Sequence, residues 1–272
     1  MNIHPLHPRQ RGTARAEDGR LKRMKEEILG YKVNAFSVEE GAEQIFKSLQ
    51  ADKRTWLACF NPHSYVLALE DRVFSRALQD ADWLVPDGIG IVWASQVFGG
   101  KIRERVTGSD VFSSLNKRMN AAGSMRVFFL GATQETLELI EKRMARDYPK
   151  VKVAGVYSPP FKDVYSNAEI GAMVKAVNSA APDVLWVGLS APKQEKFIFE
   201  NRARLNVKFV AAVGAVFDFY AGNVRRNADS WFVRHGLEWL PRLMQEPRRL
   251  WRRMFVSAPV FVWHVVKKKV KN

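Results

Sequence analysis

Six short runs rich in β-branched and aromatic residues recur along the chain, at Thr55–Phe60, Trp83–Pro86, Arg126–Leu130, Lys152–Val156, Val184–Val187 and Lys208–Val213. Most are apolar almost throughout, not at every second position. Strands read that way when both of their faces are covered. The stretches between them place apolar residues at helical period, as in Ser64–Gln79, Gln134–Asp147, Asn167–Ala180 and Lys193–Arg204. This alternation predicts an α/β fold, with a parallel, doubly wound sheet flanked by helices.

A chain of 272 residues is long enough for one sizeable α/β domain plus an appendage, and 47% hydrophobic residues suffice for a packed core. The 43 Lys and Arg outnumber the 28 Asp and Glu by 15. Such an excess asks for an anionic partner: nucleic acid, acidic lipid or a phosphorylated substrate. The lone cysteine, Cys59, excludes a disulfide within the chain and argues against a cysteine-based zinc site. Residues 1–27 mix both charges without an apolar run. They are expected to form a mobile arm, not a secretory signal. The catalytic domain is expected over 28–224. The longest apolar run, Met254–Val266, falls short of the roughly 18–20 residues that a membrane-spanning helix needs.

Open parallel sheets bind ligands beyond the carboxyl ends of their strands. The residues just after the six runs are therefore the candidates: Asn61-Pro62-His63-Ser64, Asp87-Gly88-Ile89-Gly90, Gly131-Ala132-Thr133, Tyr157-Ser158-Pro159-Pro160, Gly188 through Gln194, and Gly214 through Asp218. Glycines there permit close backbone approach, and helix N-termini offer free N–H groups to phosphate. Each loop alone is commonplace, but six on one edge mark a ligand crevice. Asp87 lies on that edge and can serve as a general base or as a cap of the next helix. Arg105, in Arg-Val-Thr-Gly-Ser-Asp, can bind phosphate or pair with a surface acid.

Three further patterns read as structural. Gly88-Ile89-Gly90 resembles the start of a dinucleotide fingerprint, yet its third glycine position holds the bulky Trp93. Asp80-Ala81-Asp82 matches an Asp-x-Asp metal–nucleotide motif, but it precedes its strand, at the wrong edge, as a charged helix-ending turn. His63 has no partner ligand at metal spacing and is expected to cap a helix or sit in a polar pocket.

The segment 225–272 carries 12 Lys/Arg against 3 Asp/Glu, a net of +9, together with Trp231, Trp239, Trp251 and Trp263. It reads as a basic helical appendage. On a helical wheel over Arg248–Phe255, Arg248, Arg249, Arg252 and Arg253 fill one arc; Leu250, Trp251, Met254 and Phe255 fill the other. A basic face opposite a Trp/Phe/Leu face is the pattern of an interfacial membrane helix, and Lys267-Lys268-Lys269 suits anionic headgroups. The bland alternative is a helix packed on the main domain. No RNA-recognition signature accompanies the charge.

With these motifs in this order the chain resembles the WecG/TagA/CpsF family, glycosyltransferase family 26. The resemblance runs from about Val33 to Arg253. It is carried by Asn61-Pro62-His63-Ser64, Asp87-Gly88-Ile89-Gly90, Arg105 through Asp110, Tyr157 through Phe161, Pro192-Lys193-Gln194-Glu195, Gly214 through Asp218 with Gly222, Gly236 through Trp239, and Glu246 through Arg249. It implies a Rossmann-like fold and an inverting transferase that needs no metal and no cofactor. Such an enzyme moves a sugar from a UDP-sugar to a polyprenyl-diphosphate-linked acceptor during cell-surface polysaccharide synthesis. The family's catalytic carboxylate falls on Asp87, and its pocket asparagine, arginine and glutamine fall on Asn61, Arg105 and Gln194. Where the family often has threonine, this chain has Cys59.

On that reading UDP lies near Gly131, Gly188 and Asp218, with Cys59, His63, Gly88, Tyr157 and Lys193 also lining the substrate site. The appendage arginines Arg225 and Arg226 assist UDP departure, and Arg248, Arg249, Trp251, Arg252 and Arg253 meet an anionic membrane. The expected location is peripheral, on the cytoplasmic face of a bacterial inner membrane, with no nucleic-acid partner. The donor stays open among N-acetylmannosamine, its uronic acid, glucose and glucuronic acid, and a homo-oligomer is compatible with the sequence. Two rivals are a nicotinamide-dependent oxidoreductase and a non-enzymatic basic protein that binds membrane or RNA.

Overall fold

The computed structural model describes residues 24–223 and 251–271. Six strands make the central layer: β3 (Thr55–Phe60), β4 (Trp83–Pro86), β5 (Arg126–Gly131), β6 (Lys152–Tyr157), β7 (Val184–Gly188) and β8 (Phe209–Ala212). Their order is β4-β3-β8-β7-β5-β6, and every neighbouring pair is parallel. The fold is the expected Rossmann-like α/β arrangement. The four residues of β4 and the four of β8 are all buried, which is why no alternation marks them in the sequence.

Helices cover both faces. On one side lie α2 (Pro62–Glu70), α3 (Arg72–Asp80), α4 (Ile89–Val97), α7 (Asn167–Ala180) and α8 (Lys193–Asn201), packed around Phe60, Leu84, Leu130 and Leu185. On the other lie α1 (Val38–Gln50), α5 (Gly108–Ala122), α6 (Gln134–Asp147) and α9 (Val216–Ala221), around Phe112, Phe129, Trp186 and Phe209. The chain thus leaves β3 toward one face and the adjacent β8 toward the other. That divergence opens a crevice between the two strand ends, the position where sheets of this kind take ligands.

Three local expectations need correction. The stretch Ser64–Gln79 is two helices, because Asp71 ends α2 and caps α3, accepting the Phe74 N–H at 2.9 Å. A short aspartate cap inside an unbroken apolar period hides the break. The span assigned to an arm ends in ordered structure: β1 (Lys25–Ile28) pairs antiparallel with β2 (Tyr31–Asn34) through Leu29-Gly30, both with positive φ. The carboxylate of Glu26 accepts the Lys101 N–H, which ties the hairpin to the loop after α4.

The third concerns the appendage. A π-helical turn, Arg252–Ser257, leads into α10 (Ala258–Lys271). Pro259 has no N–H to bond the carbonyl of Phe255, and the Ala258 N–H reaches back five residues to Arg253 instead. The helix docks on the domain. Phe261 and Val265 are buried in the core cluster that holds Tyr65 and Ile91, and Phe261 meets Tyr65 edge-on at 5.5 Å. Lys268 reaches Glu27 of the hairpin at 2.9 Å. Arg225, Arg226, Arg248 and Arg249, with the motifs around Trp239 and Pro247, lie outside the described residues.

Candidate functional site

The crevice is built from the ends of β3, β4, β7 and β8. After β3, Asn61 caps α2. Its Oδ1 accepts the Ser64 N–H at 2.9 Å, and the Ser64 hydroxyl accepts the Asn61 N–H at 2.8 Å. Pro62 occupies the first turn, where a missing N–H costs nothing. With its oxygen engaged, the Asn61 amide turns its NH2 outward and donates to Asp87 Oδ2 at 3.2 Å.

Asp87 sits one residue past β4, its N–H held by Phe60 O at 2.8 Å. It does not cap the next helix: Gly88, at φ 120°, takes that position without a side-chain cap. Of the two roles open to Asp87, the capping role is therefore vacant. Burial pushes its carboxyl above the ordinary value of 3.8, opposed by the Asn61 amide and then by the charges of Arg105 and Arg253. Arg105 lies in the loop before α5, whose N-terminus is closed by a reciprocal cap between Thr107 and Asp110.

Arg253 departs from expectation. A helical wheel at 100° per residue puts it on a membrane-facing basic arc. In the π turn that spacing does not hold, and Arg253 lies half-buried, near enough to Asp87 and His63 to lower both. Trp251 and Arg252 remain exposed, and Trp251 packs on Phe255 with ring centres 4.2 Å apart. His63 does not cap α2. Its Nδ1 shares a 2.9 Å hydrogen bond with the Ser257 hydroxyl, and Tyr65 and His264 are joined at 2.6 Å. Burial, then Arg253 and Arg252, lower His63 to about 4, so it is neutral at neutral pH.

Across the crevice, Gln194 at the start of α8 spans to the loop after β8. Its Oε1 accepts the Gly214 N–H at 3.0 Å, and its Nε2 donates to Glu195 at 2.9 Å. Cys59, on β3 between these groups, points its thiol at Ala212 O, 3.8 Å away. Burial raises the thiol, followed by the negative charges of Asp87 and Glu195. Cys59, Asn61, Asp87, Gly88, Arg105 and Gln194 thus gather around the ends of β3, β4 and β8, Asn61 bonded to Asp87, Arg105 in electrostatic range of it, and Gln194 bonded to the loop after β8. Sequence reasoning quoted Glu195 in the family motif without giving it a role, and it overlooked the seam of Ser257 and His264. The available signal for Glu195 was an acid one helical turn from Ile198, on the buried stripe of α8.

Other candidates lie further along the edge. Gly131 and Gly188 are forced by packing: a Cβ on Gly131 would stand 2.5 Å from the Gly188 carbonyl oxygen, and one on Gly188 would strike the Phe217 ring at 2.6 Å. Asp218 occupies the first turn of α9. Lys193 donates to Lys162 O at 2.9 Å and stands over Phe161. Tyr157 ends β6, five strand steps from β4, so it is on the order of 24 Å from Asp87 at about 4.8 Å per step. Asp80 and Asp82 lie at the opposite edge, where they accept from the indole and backbone N–H of Trp56, and Asp80 pairs with Arg202 at 2.7 Å. No described helix is long and apolar enough to cross a membrane.

Comparison with known proteins places the chain among glycosyl transferases. Residues 26–272 match the family model of the glycosyl transferase WecG/TagA/CpsF family. An N-acetylglucosaminyldiphosphoundecaprenol N-acetyl-beta-D-mannosaminyltransferase of Bacillus spizizenii is 34% identical over 80% of this chain and 81% of its own length. Its namesake in Bacillus subtilis is 32% identical over 78% of this chain and 79% of its own length. One from Staphylococcus aureus is 25% identical over 91% of this chain and 94% of its own length. The match includes the ends of β3 and β4 and the basic C-terminal segment, and it leaves the nicotinamide reading without support. The chain belongs to the WecG/TagA/CpsF family of glycosyl transferases.

Proposed function

We propose that this glycosyl transferase moves a sugar from a UDP-sugar to a polyprenyl-diphosphate-linked acceptor with inversion, using Asp87 as general base. The observation that carries the reading is the state of Asp87. It is a half-buried carboxylate at the crevice, relieved of capping and oriented by Asn61, with the cations Arg105 and Arg253 in electrostatic range. A raised carboxyl is the better proton acceptor when the acceptor hydroxyl attacks the anomeric carbon. Arg105 and Arg253 offset the charge that builds on the diphosphates, with Arg225 and Arg226 as further candidates. Gln194 and Asn61 orient sugar hydroxyls. UDP runs along the strand ends past Gly188 toward Gly131 and Asp218, with Lys193 and Tyr157 further along.

The names of the relatives favour N-acetylmannosamine as the donor sugar and N-acetylglucosaminyl-diphospho-undecaprenol as the acceptor. The enzyme works at the cytoplasmic face of a bacterial inner membrane on this reading, and the surface of the C-terminal segment supports contact with an anionic membrane. Phe255, Val262, Trp263, Val266 and Val270 are exposed, and Lys267, Lys269 and Lys271 are exposed among or beside them. The test is incubation with a panel of UDP-sugars and a polyprenyl-diphosphate-linked N-acetylglucosamine, reading product mass and anomeric configuration. A β-linked product from an α-linked donor, formed in excess EDTA, is expected. Absence of any lipid-linked product, or strict dependence on added Mn²⁺ or Mg²⁺, overturns the proposal.

A further inference from the structure

Glu195 is 1% exposed, yet it is a carboxylic acid with no cation attached to it among the described residues. The lysines of its own helix are engaged elsewhere, Lys193 with Lys162 O and Lys196 with Asp71 at 2.9 Å. On α3, the helix packed against α8, Asp80 is taken by Arg202. From β3 the thiol of Cys59 feels Glu195 along with Asp87, just past β4, and Asp110 of α5. One oxygen of Glu195 accepts from Gln194, and the other, Oε2, is buried without a hydrogen-bond partner. Burying an acid this way is costly, so the position is not one that packing alone would select.

What Glu195 does touch is Gln194. An amide can be rotated by 180° with little change of shape, and a flipped Gln194 would present the wrong atoms to a sugar. Two contacts prevent it. The Gly214 N–H can only donate, so it takes Oε1; an oxygen of Glu195 that accepts takes Nε2. The second N–H of Nε2 and the second lone pair of Oε1 stay available.

We infer that Glu195 is a positioning residue, which acts through Gln194 by locking its carboxamide across the end of β8 in the one orientation that can read a sugar hydroxyl. This rests on the proposed role of Gln194 in the site. Because an uncharged carboxyl can still accept through its carbonyl oxygen, the lock survives protonation. It fails only when the oxygen is removed.

Two variants and two readouts test this. Glu195→Gln keeps an accepting oxygen, and Glu195→Ala removes it. In transfer assays Glu195→Ala lowers kcat by about tenfold, the worth of roughly one net hydrogen bond, with UDP affinity held. Glu195→Gln stays within about threefold of wild type. The second readout is the side-chain ¹⁵N–¹H₂ signal of Gln194, identified by its loss in Gln194→Glu. In the wild type it titrates with a midpoint near about 7, as Glu195 ionises. In Glu195→Gln that titration vanishes while the two protons stay distinct, and in Glu195→Ala they move toward free-amide positions. A Gln194 signal indifferent to pH and to both variants overturns the inference, as does equal damage to kcat from Gln and Ala. If the wild type itself transfers no sugar, the reading of the site fails, and the amide signal still decides whether Glu195 holds Gln194.

Discussion

The amide nitrogen of Asn61 donates to Asp87 Oδ2 at 3.2 Å while the oxygen of the same amide caps α2 at Ser64. One side chain therefore fixes a helix start and a carboxylate on the neighbouring strand. The cap determines which end of the amide remains for Asp87, because a backbone N–H accepts nothing. Two parallel strands, β3 and β4, set the spacing, with Phe60 opposite Pro86 in register.

Replacing Asp87 with Asn removes the proton acceptor and little else, since the helix that follows is capped by Gly88 and draws no side-chain bond from Asp87. Turnover is expected to fall by about 10²–10⁴-fold, the usual worth of general-base assistance, with UDP affinity nearly unchanged. In the wild type the rate should fall with acid at a pH above the ordinary aspartate value of 3.8, because burial raises Asp87. Near-normal turnover at saturating acceptor in Asp87→Asn removes Asp87 from the mechanism.

Asn61→Asp separates the two duties of Asn61. Aspartate caps a helix as well as asparagine, so the cap of α2 should survive, and the fold should lose stability only as pH rises and the paired carboxylates ionise. The new carboxylate faces Asp87 where an N–H used to be. Like charges at that range raise both groups, and the acid limb of the rate profile should move upward with a loss of at least about tenfold near pH 7. An unchanged acid limb would mean that the 3.2 Å contact does not govern the base.

The fold was legible wherever burial on both faces left an apolar run: β3 and β4 start and end where the runs do. The placement of Asn61, Asp87 and Gln194 beyond strand ends was legible from the apolar runs before them, whereas Arg105, past the helix Ile89–Val97, was named only by the family pattern. What stayed hidden depends on chain segments distant in sequence. Nothing local says that Ser257 meets His63 or that Lys268 meets Glu27, partners that are 194 and 241 positions apart. The π turn was invisible for a related reason, since a helical wheel presumes the α spacing that Pro259 interrupts.

The seam between α2 and the terminal helix should open in acid. His63 is held near about 4 in the fold against an ordinary 6.5, so the folded state resists its protonation. The associated stability is complete above about 6.5 and is lost as pH falls from there through about 4. Tryptophan emission from Trp251 and Trp263, read against pH, should report release of the helix in that window before the domain unfolds. Tyr65→Phe, which removes a 2.6 Å bond to His264, should shift the release upward in pH by loosening the seam by about 1 kcal/mol. Release at the same pH in His63→Gln would count against this assignment.

Vesicle binding should depend on the outward stripe of the terminal helix. Val262, Trp263 and Val266 are already exposed, so charge placed there leaves packing intact. Val262→Asp with Val266→Asp should cut partitioning onto anionic vesicles by about tenfold per side chain removed from the interface. Neutralising Lys267, Lys269 and Lys271 should weaken it by about 1 kcal/mol each, and only when the vesicles are acidic. Equal binding by both sets of variants would turn the stripe into an ordinary surface.

Glu195 makes a prediction about stability that needs no assay of transfer. Burial raises its carboxyl from an ordinary 4.5 to about 7, with the Gln194 amide and a backbone bond opposing the rise. A group raised in this way binds its proton more tightly in the folded chain than in the unfolded one. It carries no penalty below about 4.5, and the fold loses stability as pH climbs from there through about 7. Glutamine at this position is uncharged at every pH. The melting temperatures of wild type and Glu195→Gln should therefore diverge as the solution is made alkaline, with the variant the more stable. At about 1.4 kcal/mol per pKa unit the gap has a ceiling of about 3.5 kcal/mol. Asp87 is raised too, but it is common to both proteins and cancels in the comparison. Parallel curves from pH 5 to 9, about the span of the titration, would mean that Glu195 finds a compensating cation or water in solution and ionises without cost.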